Sequence, residues 1–324
     1  VIGIEDVEAA ARLIAGHVVR TPTVASPGLS ALLGVPVTTK LELLQRTGSF
    51  KARGATAKLL TLGEADRAAG VVAVSGGNHA IAVAVMAESL GVKATVVMPK
   101  SAPAHAVEIA ESAGAKVHLT DTMDGAFALV SRLQADGLSL VHPFDDPVVV
   151  AGQGTVGLEF AEDVAAAGGG PLTDVLVSVG GGGLIAGVAT ALHARLPGVR
   201  VWGVETEGAE AMSQALAAGG PRQVALSSIV TTLSAPSVAQ ITYDQVSALV
   251  TDVLVVPDAD AVQGTLDLAH HGKVWAEPAA GCLLPAARQV RQRVGDGARL
   301  GLVLCGGNAT TQDVFRWAER FGLR

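Results

Sequence analysis

Cysteine is nearly absent: Cys282 and Cys305 are the only two in 324 residues. Two thiols cannot staple a chain of this length, and neither is spaced from a histidine pair as a zinc ligand would be. A reducing cytoplasm is therefore the expected location. Charge is sparse as well, at 16% charged residues with a formal balance of −7. No basic cluster interrupts that background, so nucleic acid is not an expected partner. A bilayer span needs roughly 20 consecutive apolar residues. Apolar residues reach 49%, yet the longest uncharged stretch, after Asp174, is broken by four consecutive glycines. The first residues, Val1-Ile2-Gly3-Ile4-Glu5-Asp6, lack the basic start and apolar stretch of an export signal. What remains is a chain expected to stay out of membranes and to take a small molecule as its partner.

What is present is alternation. Apolar runs of strand length alternate with helix-length segments, the pattern of parallel βαβ units in an open α/β fold. Residues 35–41, 71–74, 94–98, 116–119 and 138–141 read as strands of one sheet, and 174–178, 200–204, 253–256 and 300–305 as strands of a second. Phe144-Asp145-Asp146-Pro147 breaks the pattern and places a crossing near residue 146, while residues 166–171 read as a glycine-rich surface turn. No repeat of solenoid period and no low-complexity tract is visible.

Residues 45–55 set Lys51 behind a glycine–serine turn and the ring of Phe50. A solvated lysine titrates near about 10.4 and is a poor nucleophile at neutral pH. Burial against Phe50, with Arg46 and Arg53 nearby, favours the neutral amine that condenses with an aldehyde. The plainer reading is a solvated lysine in the first turn of an amphipathic helix, with Ser49 as its N-cap.

Three glycine loops bear on that choice. Residues 178–187, Ser-Val-Gly-Gly-Gly-Gly-Leu-Ile-Ala-Gly, follow an apolar strand and open a helix, so successive N–H groups can point at a small dianion such as phosphate. A dinucleotide loop competes: Glu205 closes the next strand, where such a site carries its acidic residue, and spacing alone does not dismiss NAD. Ser75-Gly76-Gly77-Asn78-His79 also joins a strand to a helix and offers N–H groups, a hydroxyl and an amide. That set suits a substrate carboxylate and, at Asn78, a phenolate oxygen; an N-capping Asn78 and a packed His79 are the bland equivalents. Cys305, at the carboxyl end of the last strand, reads either as a small buried hydrophobe or as a ligand contact.

Together these motifs resemble the fold type II pyridoxal-phosphate (PLP) enzymes, specifically the serine/threonine dehydratase and serine racemase family, over nearly the whole chain. The resemblance implies two open, mostly parallel twisted sheets flanked by helices, as in tryptophan synthase β. It implies a large PLP-binding domain from residues 1–64 and 147–324, and a small domain, 65–146, carrying the asparagine loop. By the same resemblance Lys51 is the Schiff-base and catalytic lysine, and Phe50 lies against one face of the cofactor ring. Gly180, Gly181, Gly182, Gly183 and Leu184 cradle the phosphate, Asn78 meets the phenolic oxygen, and Cys305 lies beside the pyridine nitrogen. Ser75, Gly76, Gly77 and His79 surround the substrate. Family members commonly form homodimers.

The implied reaction is β-elimination from a β-hydroxy amino acid such as L-threonine or L-serine, giving a 2-oxo acid and ammonia. A thiol beside the ring nitrogen makes a shallower electron sink than an aspartate and so favours prompt loss of a leaving group. The alternatives are a racemase, or a lyase for hydroxyaspartate or an aryl-serine. A binding protein without turnover fits poorly with Lys51, Ser75, Asn78 and Cys305 all present. Three positions depart from the family pattern. Gly76 stands where racemases carry a serine acting from the opposite face. The family's metal loop is matched at residues 205–209, but its later acidic ligand is replaced by Ala211, and no metal is assigned. Thr231-Thr232 replace an Asp-Gly pair against the other face of the ring.

Overall fold

The computed structural model describes residues 1–323. Its strands are β1 (Thr23–Ala25), β2 (Val37–Leu41), β3 (Val71–Val74), β4 (Ala94–Pro99), β5 (Lys116–Thr120), β6 (Ser139–Leu140), β7 (Asp174–Ser178), β8 (Arg200–Thr206), β9 (Asp252–Val256) and β10 (Leu300–Leu304). They form a six-stranded sheet ordered β1-β2-β10-β7-β8-β9 and a four-stranded sheet ordered β5-β4-β3-β6. Every pairing is parallel except that of β1 with β2. Strands β3, β7 and β10 are buried along their whole length. Their unbroken Val/Leu-rich runs are what a parallel strand covered on both faces requires.

One sheet assignment is corrected. The strand expected at residues 35–41 does not join the sheet of β3 to β6; β2 pairs with β10, Val37 opposite Leu300, in the larger sheet. It starts at Val37 because Pro36 has no N–H to give, although the Pro36 carbonyl accepts from Leu300 N at 2.9 Å. The short antiparallel β1 carried no apolar run and was invisible to the pattern.

The break at residue 146 is a helix start. Asp146 accepts from Val148 N at 2.8 Å and Pro147 follows as the first residue of the helix Pro147–Ala167. That helix ends at the expected glycine-rich turn and packs on the helices Lys51–Leu60 and Gly183–Arg195. Helix Lys51–Leu60 is shared between the two sheets. Ala52, Ala55 and Leu59 enter the core of the smaller sheet. Arg53, fully buried, turns the other way to pair with Glu42 and Glu159, each at 2.8 Å, and Lys40 pairs with Glu159 at 2.8 Å. Among the described residues no helix is long and apolar enough to cross a membrane.

Candidate active site

The segment after β10 fastens onto the loop that carries the lysine. Phe50 N donates to the Cys305 carbonyl at 3.0 Å, Gly307 N to the Gly48 carbonyl at 2.9 Å, and Ser49 bridges Gly306. Gly48 sits at φ +70, and a Cβ there would fall 2.1 Å from Asn308 Oδ1, so the turn tolerates only glycine. Lys51 is the first residue of its helix. Its Nζ donates to the Pro143 carbonyl at 3.0 Å and lies 5.2 Å from the centre of the Phe50 ring. Burial brings the amine down from 10.5 to about 8.

The arginines do not contribute to that shift, contrary to the sequence-based expectation. Arg46 reaches the His17 carbonyl at the surface and Arg53 is spent on Glu42 and Glu159. Ser49 is not the N-cap either: Phe50 holds that position without a side-chain bond, and Ser49 Oγ is buried without a partner.

Asn78 likewise does not cap its helix, Asn78–Ser89. Its amide Nδ2 donates to Glu277 Oε1 at 2.8 Å, and its Oδ1 accepts from Asn308 Nδ2 at 2.7 Å. Glu277 was not found from sequence. It is a single carboxylate in an apolar segment, with no glycine motif or spacing to mark it. Burial pushes it up to about 7, against the hydrogen bonds from Asn78 and Asn308 N and the nearby Thr232 side chain. Ser75 Oγ accepts from Gly77 N at 3.2 Å. Gly76 faces Pro99 and Ala102, and the Thr232 methyl lies 3.5 Å from where a Gly77 Cβ would stand.

His79 takes a narrower part than expected. Its Nε2 lies 2.7 Å from the Val141 carbonyl, which can only accept, so Nε2 carries the proton. Burial drives the ring down to about 3, leaving it neutral, and Nδ1 has no partner. A neutral ring so engaged offers no positive charge to a carboxylate.

The tetraglycine loop opens the helix Gly183–Arg195, with Gly182 at φ +88. The first amide to find an acceptor is Ala186, to the Gly182 carbonyl at 3.0 Å. The N–H groups of residues 180–185 have no acceptor among the described residues, which makes the loop an anion seat. Thr242 Oγ1 braces it from the side by donating to the Gly181 carbonyl at 2.8 Å. Cys305 Sγ lies 3.9 Å from Ser178 Oγ, at the base of the same loop. Burial pushes its thiol well above the usual range, so it is neutral.

Glu205 is fully engaged at the start of the helix Ala211–Ala218. It accepts from Met212 N at 2.7 Å, Ser213 N at 2.9 Å and Ser213 Oγ at 2.6 Å. The carboxylate that a dinucleotide or metal reading needs is thus already satisfied by the chain. No group of three or more His, Cys, Asp or Glu placed to hold a metal occurs among the described residues.

A PLP cofactor does fit. The structure offers a largely desolvated lysine of lowered basicity, a seat of unpaired N–H groups for a phosphate, and a neutral thiol. It also leaves two buried polar atoms near the lysine, Ser49 Oγ and His79 Nδ1, without protein partners. Comparison with known proteins agrees. The family described as "Pyridoxal-phosphate dependent enzyme" matches residues 14–306. The L-threonine ammonia-lyase of Thermotoga maritima is 38% identical over 310 residues, 95% of this chain and 76% of that protein. The phenylserine dehydratase of Ralstonia pickettii is 38% identical over 305 residues, 94% of this chain and 91% of that one. Among solved structures, maize serine racemase superposes with a TM-score of 0.89 at 32% identity, over 98% of this chain and 97% of the other. A lysine seated in this way, facing an anion seat on a fold shared from end to end with such enzymes, leaves one conclusion: the chain belongs to the pyridoxal-phosphate dependent enzyme family and uses that cofactor.

Proposed function

We propose that the enzyme removes water and then ammonia from a β-hydroxy amino acid, with L-threonine and L-serine as the representative substrates and a 2-oxo acid as the product. The observation that carries this reading is the asymmetry about Lys51. A buried amine of lowered basicity, available as a base near neutral pH, stands on one side, and position 76, where a second proton carrier would be needed for racemisation, is a glycine against Pro99 and Ala102.

When bound, PLP supplies the electron sink that acidifies the Cα–H bond of an attached amino acid. The chain's residues do the rest. The N–H groups of Gly180 to Leu184 hold the phosphate, and Phe50 packs against the ring. Asn78 keeps one amide hydrogen for the phenolic oxygen, and Cys305 meets the ring nitrogen as an uncharged thiol. Ser75 and the main chain of Gly76, Gly77 and His79 receive the substrate carboxylate. Lys51 would take the Cα proton as general base. Overall the Cα proton and the Cβ hydroxyl depart as one water, the Cβ–O electron pair going to oxygen, and a second water later replaces nitrogen at Cα and releases it as ammonia.

A lyase for a bulkier or acidic β-hydroxy substrate is the second reading, favoured by Thr232. Its side chain stands over Gly77, where the family pattern has a glycine. The same reading assigns residues 65–146 to a small domain, and residues 1–64 with 147–324 to a large one. It also predicts a homodimer, which light scattering would test, and a cytoplasmic location, in keeping with two buried free thiols.

The test is ammonia release by the purified holoenzyme from L-threonine, L-serine, 3-hydroxyaspartate and phenylserine. The expected result is turnover of at least one, abolished together with the visible cofactor band in Lys51→Ala. Faster formation of D-serine than of pyruvate from L-serine would overturn the elimination reading.

A further inference from the structure

Glu277 has no role in the reading above, yet it sits at its centre. It is 3% exposed, and no lysine or arginine pairs with it among the described residues. An isolated buried carboxyl is costly unless its lone pairs are used. Here they are used on two loops of the site. Oε1 accepts from Asn78 Nδ2 at 2.8 Å, and Oε2 accepts from Asn308 N at 3.2 Å. Glu277 N in turn donates to the Gly306 carbonyl at 3.1 Å, which ties it to the segment beside Cys305.

The polarity of these bonds fixes the amide of Asn78. Asn308 Nδ2 donates both to the Thr47 carbonyl at 2.9 Å and to Asn78 Oδ1 at 2.7 Å, so Asn308 cannot be turned around without losing both. With its oxygen committed to that donor, Asn78 must present Nδ2 to the carboxyl, where an accepting oxygen waits. One of the two amide hydrogens is spent on Glu277. The other has a defined direction and no protein acceptor among the described residues.

We propose that Glu277 is a positioning residue of the cofactor site, holding the Asn78 amide so that its remaining N–H is delivered to the cofactor's phenolic oxygen. This role rests on the reading of Asn78 given above. Glu277 does not touch the reacting atoms; it acts through Asn78, and Asn308 sets the other end of the same amide. Because Asn78 opens the helix that follows β3, while Asn308 follows β10 and Glu277 is tied to the same segment through Gly306, the arrangement also registers one sheet's loop against the other's.

The test uses holoenzyme and two readouts other than turnover, the wavelength of the visible cofactor band and the PLP dissociation constant by equilibrium dialysis. Glu277→Gln keeps the shape but replaces one accepting oxygen with a donor, so it cannot serve Asn78 and Asn308 together. The expected result is a shifted band and a dissociation constant raised about tenfold, the scale of one lost hydrogen bond to a charged group. Asn78→Ala should give the same shift, and the double variant should add nothing further. Should Glu277→Gln fail to fold, Asn308→Asp presents an oxygen to Asn78 Oδ1 and should reproduce the shift. If Asn78→Ala leaves band and affinity untouched, the reading of Asn78 fails and takes this proposal with it. If Asn78→Ala shifts them but Glu277→Gln and Asn308→Asp do not, or if the effects of Glu277→Gln and Asn78→Ala multiply, only the positioning role is overturned.

Discussion

The lowered basicity of Lys51 can be measured on the cofactor-free protein. With its amine at about 8 rather than 10.5, the neutral fraction at pH 7 is about 10% instead of about 0.03%, roughly a 300-fold gain in reactive amine. Trace acetic anhydride, followed by peptide mapping against a free-amine standard, reads that fraction site by site. Labelling of Lys51 should climb about tenfold per pH unit and level off near 8, while exposed lysines continue to climb. The sign for stability follows the same shift. Between about 8 and 10.5 the unfolded chain holds the proton and the folded chain does not, so Lys51 makes the fold more stable as pH rises through that window and less stable below it. Arg46→Ala should leave the labelling curve in place, because that guanidinium is occupied at the His17 carbonyl. An inflexion at or above 10 would show that burial does not control this amine, and the argument would fall.

Two substitutions probe the surroundings. In Gly76→Ser the new Cβ would meet Pro99 Cγ at 3.2 Å and Ala102 Cβ at 3.7 Å, a fit that needs a shift of a few tenths of an ångström. Chiral chromatography should then show the ratio of D-serine to pyruvate formed from L-serine rising on the order of tenfold, well inside what a positioned acid or base contributes; an unchanged ratio counts against a missing opposite-face group. In Gly182→Ala the side chain is forced to φ +88, with Cβ 2.7 Å from Met212 Cε and 2.9 Å from Thr242 Cβ. The conformation alone costs about 1–2 kcal/mol, so PLP affinity should fall about tenfold or more by dialysis while the circular dichroism of the fold persists.

The lysine loop and the two glycine loops were legible because their chemistry is local: a turn, a strand end and a helix start lie within ten residues of each other. Glu277 was not, because it meets Asn78 across 199 residues of chain, and nothing local distinguishes it from any other acidic residue before a proline. Arg53 misled for a geometric reason. Two residues along a helix is more than half a turn, so Lys51 and Arg53 face opposite ways however close they stand in sequence. Ser49 and Asn78 both have the side chains of N-caps, but tertiary packing overrode that preference; Asn78 found better partners in Glu277 and Asn308. The strand at residues 35–41 was placed in the wrong sheet because periodicity reveals that a strand is buried without revealing its neighbour.

Helix Lys51–Leu60 works as a party wall. On one side its alanines and Leu59 are bricks in the interior of the smaller sheet, and on the other Arg53 is bolted to Glu42 and Glu159 of the larger. Neither half can come apart and leave the other's masonry intact, so heating should demolish both in a single cooperative step. The seat of the reactive amine lasts as long as that wall stands.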